Sequence, residues 1–338
     1  MMKRTEKAYL ERAESIKKRF ENETGKDLHK SISAFFDWIE NHTSDWSPST
    51  RRQYKSALSF WCEQEGIELD SNIFSQGFRS NVSKKEVRKK HGKRTSAQKL
   101  KSMNPKVWRH VRFELENSRS RAANLTLNIL KASAYFGLRP VEWAYSEFVF
   151  ELAGGKGCGI NIRNAKATQN RSFGEYRVVV MDDVQDEYMS LFKEAVSSVG
   201  EVFEHFNQLK VGLNGAEDLE PINEEYRRQV DLELRACRFL LGQINTRLEQ
   251  QKIIKKGQRI TLYSGRHQFA ANAKLAGLKP IEIAALMGHG AQDTNEKFYG
   301  RKVNGSGGFG VCASSDDMEA INDRNKDKQC EIEVGLSR

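Results

Sequence analysis

The chain has 338 residues and a mass of 38.6 kDa, more than one hydrophobic core ordinarily fills, so two domains are expected. Lys and Arg number 55 against 45 Asp and Glu, a net charge of +10, which points to a polyanionic partner. With 38% hydrophobic and 30% charged residues, and no apolar run near the ~20 residues that span a bilayer, an integral helical membrane protein is excluded.

The first twenty residues are charged throughout and hold no apolar stretch, so secretion is not expected and a cytoplasmic location is. Five cysteines, at 62, 158, 237, 312 and 330, include no CxxC pair and offer no paired spacing for a disulfide framework or a zinc site. Reduced thiols, no metal and no cofactor are the expectation.

In chain order, residues 3–22 read as a polar helix. Ile32, Phe35, Phe36 and Ile39 recur at 0, +3, +4 and +7, the apolar stripe of a second helix. A third, with Tyr54, Leu58, Trp61 and Cys62 on one side, is entered through Trp46-Ser47-Pro48-Ser49-Thr50, where Ser and Thr are natural N-caps. Residues 79–101 then hold ten Lys or Arg and one acid, Glu86, nearly the whole charge surplus of the chain. Such a run is ordinarily a solvated face, but one that joins two folded units can lie along a phosphate backbone.

Helices resume at 105–117 and 121–136, the second ending at Gly137-Leu138-Arg139-Pro140. The period then changes from that of a helix to that of a strand. Ile160 and Ile162 alternate with polar residues, as do Tyr176, Val178 and Val180, with a polar turn region from Asn164 to Gly174 between them. An antiparallel hairpin is predicted, with a third strand near 147–152. Helices return from 183, 200–222 reads as a loop or small insertion, and 226–247 as one long helix with Val230, Leu234, Cys237 and Leu241 on a single face. Gly305 to Gly310 is rich in Gly and Ser, and residues 316–338 carry seven acids against four bases.

The fold class expected is α-rich α+β. Residues 1–78 form a helical domain, 79–101 a basic linker, 102–303 a helical domain with a small antiparallel sheet, and 304–338 a Gly/Ser-rich linker with an acidic tail.

The residues suited to chemistry fall in four boxes. Tyr263-Ser-Gly-Arg266-His267 is followed by Gly277, by Pro280-Ile-Glu-Ile-Ala-Ala-Leu-Met-Gly288-His289, and by Phe298-Tyr299; Arg266 to His289 spans 23 residues and His289 to Tyr299 spans 10. Upstream stand Gly137-Leu138-Arg139-Pro140-Val141-Glu142 and, in the turn after the first hairpin strand, Lys166. In this order and on these elements the boxes resemble the tyrosine recombinase (phage-integrase) family, over residues 30–300.

The resemblance implies a C-shaped, two-domain clamp on double-stranded DNA, with residues 1–78 as the core-binding domain and 102–303 as the catalytic one. Arg51, Arg52, Lys84, Lys85, Arg88, Lys89, Lys90, Lys93 and Arg94 are the candidate DNA contacts. It makes Tyr299 the nucleophile, Arg139 and Arg266 the phosphate clamp, Lys166 the general acid and His289 a further phosphate donor. Elementary chemistry agrees. Attack on a phosphodiester builds charge on the nonbridging oxygens, guanidinium forks match that geometry, and a lysine on a mobile turn can protonate the leaving 5′ oxygen.

The same turn region also offers Lys156, Arg163 and Arg171, and Glu142 is expected to orient Arg139 or a neighbour. Arg266 is read as opening its helix, where the dipole disfavours a cation and an anion nearby would explain it; His267 is read as a packing residue.

One position departs from the family pattern. Tyr263 stands where a histidine is usual, and a phenol of pKa ~10 donates a hydrogen bond to phosphate but is a poor base. The implied activity is site-specific DNA cutting and rejoining through a 3′-phosphotyrosine, without metal or ATP, by a homotetramer on paired sites, for a mobile genetic element. Accessory DNA-bending proteins are further candidate partners. A chromosome-dimer resolvase, a type IB topoisomerase-like enzyme and a noncatalytic DNA-binding relative are the alternatives. The helical unit begins almost at once, so an additional N-terminal arm-binding module is not expected, and the tail is expected either to dock on a neighbouring protomer or to be disordered.

Overall fold

Helical periodicity builds residues 4–64 of the chain. In the computed structural model the described residues are 4–28, 31–68, 78, 102–151, 157–165, 167, 172–181, 184–212, 224–255, 257–290, 302–306 and 310–324. Two compact units result, Met1–Arg94 and Thr95–Arg338. The predicted basic segment 79–101 lies outside the described residues, and with it Lys84, Lys85, Arg88, Lys89, Lys90, Lys93 and Arg94.

The first unit contains α1 (Arg4–Thr24), α2 (Ile32–His42) and α3 (Pro48–Gln64). Ser47 caps α3 by accepting the Thr50 N–H at 3.1 Å, with Pro48 at the first helical position, where its missing N–H costs nothing. The apolar stripes meet in an aromatic core of Phe20, Phe35, Trp38 and Trp61, closed by Ile39 and Leu58. Of the two arginines near the start of α3, Arg52 is exposed but Arg51 is buried, and burial pushes its pKa down.

The second unit holds α4 (Pro105–Glu116), α5 (Ala122–Phe136), α6 (Met189–Val211), α7 (Glu224–Gln250), α8 (Leu262–Leu275) and α9 (Pro280–Leu286). Four strands, β1 (Ser146–Val149), β2 (Gly159–Arg163), β3 (Tyr176–Met181) and β4 (Val311–Ala313), form one antiparallel sheet in the order β1-β2-β3-β4. The architecture is therefore α-rich α+β. Helix α5 is buried nearly all round, as expected of a central helix, and packs against α8. Trp143, just beyond it, is fully buried and donates its indole N–H to Ser133 Oγ at 2.8 Å. No helix among the described residues is long and apolar enough to cross a membrane.

Three sequence-based expectations need correction. Residues 200–211 are not a loop but the last turns of α6. Ala195, Val199, Val202 and Phe206 recur at helical spacing and are all buried, which outweighs the helix-weakening Gly200. The inward face of β3 is also the opposite of that predicted. Tyr176 is exposed, whereas Arg177 and Val179 are buried and stand opposite Ile162 and Ile160 of β2. Directly opposed residues of an antiparallel pair share a face, so the inward isoleucines carry Arg177 inward with them.

Finally, residues 310–324, at and beyond the end of the Gly/Ser-rich stretch, pack on their own unit; the rest of the acidic tail lies outside the described residues. β4 pairs with β3 at Val179↔Ala313 through Met181↔Val311, and a last helix, α10 (residues 315–324), buries Ile321 against Ala284 and Ala285 of α9. Asp317 accepts the Val178 N–H at 2.9 Å, and Arg324 donates to the Ser172 carbonyl.

Candidate active site

Gly137 ends α5 in the left-handed region (φ 76°), and a Cβ there would lie 2.6 Å from the Phe269 ring of α8. Only glycine permits both the turn and the close approach of the two helices. Immediately after it, Arg139 and Glu142 close on one another. The Arg139 backbone N–H donates to Glu142 Oε2 at 2.8 Å and its Nη1 to Oε1.

Glu142 is fully buried, and two further guanidiniums reach it. Arg177, from β3, donates Nη2 to Oε2 at 2.8 Å, and Arg266, from α8, brings Nη1 to 3.7 Å of the same oxygen. The Ala165 N–H adds a contact to Oε1 at 3.3 Å. Burial on its own would raise the Glu142 pKa, but Arg177, Arg139 and Arg266 overcome it and hold the carboxyl far below its usual range.

Arg266 does not open its helix as expected. α8 starts at Leu262, where Ser264 Oγ accepts the Thr261 N–H at 2.9 Å, and Arg266 sits one turn further in. Its orientation comes from carbonyls of two other segments. Nη1 donates to Gly137 O at 2.5 Å, and Nη2 donates to Met287 O. Nη2 also lies 3.0 Å from His289 Nε2.

His289 is placed by the end of α9. Gly288 takes φ 58°, its N–H returns to Ala285 O at 3.0 Å, and the His289 N–H returns to Ala284 O at 2.9 Å, the two reciprocal bonds of a Schellman cap. Arg139 Nη2 approaches Gly288 O at 3.5 Å, so both arginine boxes meet the histidine turn.

Of the residues nominated from sequence, Arg139, Glu142, Arg266 and His289 are brought together. Tyr263 lies in the first turn of α8 and is 43% exposed. Lys166 and Tyr299 lie outside the described residues, although Asn164, Ala165 and Ala167 beside Lys166 are placed, and the Ala167 N–H donates to Asn164 O at 3.2 Å. Arg163 pairs with Glu175 at 2.8 Å and is not part of the cluster.

Arg177 and Asn164 were missed. Asn164 is buried, its Oδ1 accepts from Arg177 Nη1, and its Nδ2 donates to Gly174 O at 2.9 Å across the base of the hairpin. The pairing register of β2 with β3 is the signal that places Arg177 inside.

Over Arg139, Arg177, Arg266 and Glu142 the formal charge is +2, three cations against one carboxylate, in a setting from which water is largely excluded. Guanidinium forks so held, with an imidazole beside one of them, suit a tetrahedral or trigonal-bipyramidal oxyanion better than a neutral ligand. No family model matches the chain, and neither does any curated protein. Among solved structures the chain is similar to XerA recombinase, at 16% identity and a TM-score of 0.33, with 86% of this chain and 92% of that one covered.

Proposed function

We propose that the protein is a site-specific DNA recombinase that cuts and rejoins strands through a 3′-phosphotyrosine. The observation that carries this reading is the convergence of Arg139 and Arg266 on one buried carboxylate, with His289, from a third segment, beside Arg266. Such a cluster supplies fixed positive charge where a phosphoryl transition state gains negative charge, which stabilises it without reorganisation during the reaction.

In this mechanism the Tyr299 oxygen attacks phosphorus while Arg139, Arg266 and His289 hold the nonbridging oxygens. The P–O5′ bond breaks as Lys166 gives its proton to the departing oxygen. The phenol proton passes to water or to a phosphate oxygen, since Tyr263 is a weak base at neutral pH. The product is a 3′-phosphotyrosyl link and a free 5′-hydroxyl. Attack by a second 5′-hydroxyl reverses the step on a new partner and needs no ATP. The basic segment 79–101 and Arg52 supply contacts to the DNA backbone, and a homotetramer on paired sites would exchange the strands. Two departures support a mobile element over a chromosome-dimer resolvase: Tyr263, and the 200–222 segment, of which residues 200–211 complete a helix and 213–222 lie outside the described residues.

The test is a nicked suicide substrate incubated with the purified full-length chain. Wild type is expected to form a denaturant-resistant protein–DNA adduct that Tyr299→Phe abolishes and Arg266→Ala lowers by at least about 10²-fold. Absence of any adduct from wild type, on DNA that it binds, would leave a noncatalytic DNA-binding protein.

A further inference from the structure

We infer that Arg177 is a positioning residue that locks the turn carrying Lys166 onto the phosphate-binding cluster. The inference rests on the recombinase reading above and deepens it. The Arg177 side chain is fully buried, and its fork makes three bonds to three different parts of the site. Nη1 donates to Asn164 Oδ1, Nη2 to Glu142 Oε2 at 2.8 Å, and Nε to the Leu286 carbonyl at the end of α9 at 3.0 Å.

Asn164 begins the turn that leaves β2, two residues before Lys166, and the intervening Ala165 N–H reaches Glu142 Oε1 at 3.3 Å. The same guanidinium underlies the histidine turn. A Cβ on Gly288 would lie 2.7 Å from Arg177 Nη1 and would overlap Asn164 Oδ1. Glu142 thus holds Arg139 through one set of bonds and Ala165, the residue before Lys166, through another, with Arg177 joining Glu142 and Asn164 to α9. A lysine that must meet the leaving oxygen within hydrogen-bond reach depends on such an anchor, because general acid catalysis requires geometry before pKa.

Lysine cannot replace this fork, since one ammonium point charge does not reproduce three bonds in a plane. The expected consequence is specific to proton donation. A suicide substrate with sulfur in place of the bridging 5′ oxygen releases a thiolate, whose conjugate acid has a pKa of only ~8.5, and needs no general acid. Arg177→Lys should slow adduct formation on ordinary DNA by about 10²-fold or more and on the sulfur substrate by less than about tenfold.

The ratio of the two rates is taken within one preparation, so it is independent of the folded fraction. Asn164→Ala, which leaves the Arg177–Glu142 pair in place, should show the same selectivity and carries the test if Arg177→Lys does not fold. Lys166→Ala should be rescued in the same way. Equal losses on the two substrates for Arg177→Lys or Asn164→Ala, or no loss on either, would overturn the positioning role while leaving the recombinase reading intact. Wild type forming no adduct on either substrate would refute both.

Discussion

Replacing Glu142 by Gln removes one charge and almost no volume from the centre of the site. The residue is fully buried and faces Arg139, Arg177 and Arg266, so the substitution leaves three buried guanidiniums without their carboxylate. Breaking a buried pair from one side costs about 3–5 kcal/mol, a large share of the roughly 5–15 kcal/mol that holds a domain folded. The pH dependence gives the cause a signature. The ordinary pKa of the group is 4.5, and in the folded chain the three arginines hold it far lower against the opposing effect of burial.

Below about pH 4.5 the unfolded chain therefore takes up a proton that the folded chain does not, and wild-type stability falls by about 1.4 kcal/mol per pH unit on account of this one group. Glu142→Gln lacks that term, while the other titrating groups are shared. The stability gap, measured by urea denaturation of the larger unit at fixed ionic strength, should be widest near neutrality and narrow steadily as the pH falls from about 5 toward 3. A gap that stays constant over that range, or a variant as stable as wild type at neutral pH, would refute the charge arrangement.

Further outcomes follow from the packing around the site. Gly288→Ala forces a left-handed residue to carry a Cβ, at about 1–2 kcal/mol, and drives that atom into Asn164; a clear drop in thermal midpoint and in adduct yield is expected. Ile321→Ala should cost about 2–5 kcal/mol in urea denaturation, because Ile321 is fully buried against Ala284 and Ala285, whereas a free tail would give no change. Burial pushes the Cys62 and Cys237 thiols up to about 11, so at pH 8 both should resist an aromatic disulfide reagent in the native chain and react once it is unfolded, as read by peptide mapping.

The elements whose signal is a single repeated pattern were legible in the sequence. Phe35 and Ile39 mark α2 because they lie on the face of that helix that supplies the core. Arg139 and Glu142 were legible as a pair because the turn at Gly137 brings residues three apart into contact. Arg177 was not, for a physical reason. A charged residue between Tyr176 and Val178 in a strand reads as solvent-facing, and only a buried carboxylate contributed by another segment makes the inward position tolerable. The same masking hid the end of α6, where Gly200 and the acids at 201 and 204 face away from the buried Val199, Val202 and Phe206. β4 pairs over only three residues and α10 anchors through Ile321, so neither presents a period long enough to stand out beside a Gly/Ser-rich stretch and an excess of acids. Arg51 illustrates the converse, a candidate DNA contact whose side chain is buried at the start of α3.

The attacking group is the centre of the mechanism, and it can be identified directly. Wild-type chain is trapped on a nicked substrate, digested with protease and nuclease, and the peptide that retains a nucleotide is sequenced by mass spectrometry. The 3′-phosphate is predicted on Tyr299; a phosphate on Tyr263 or on any other side chain would contradict the mechanism.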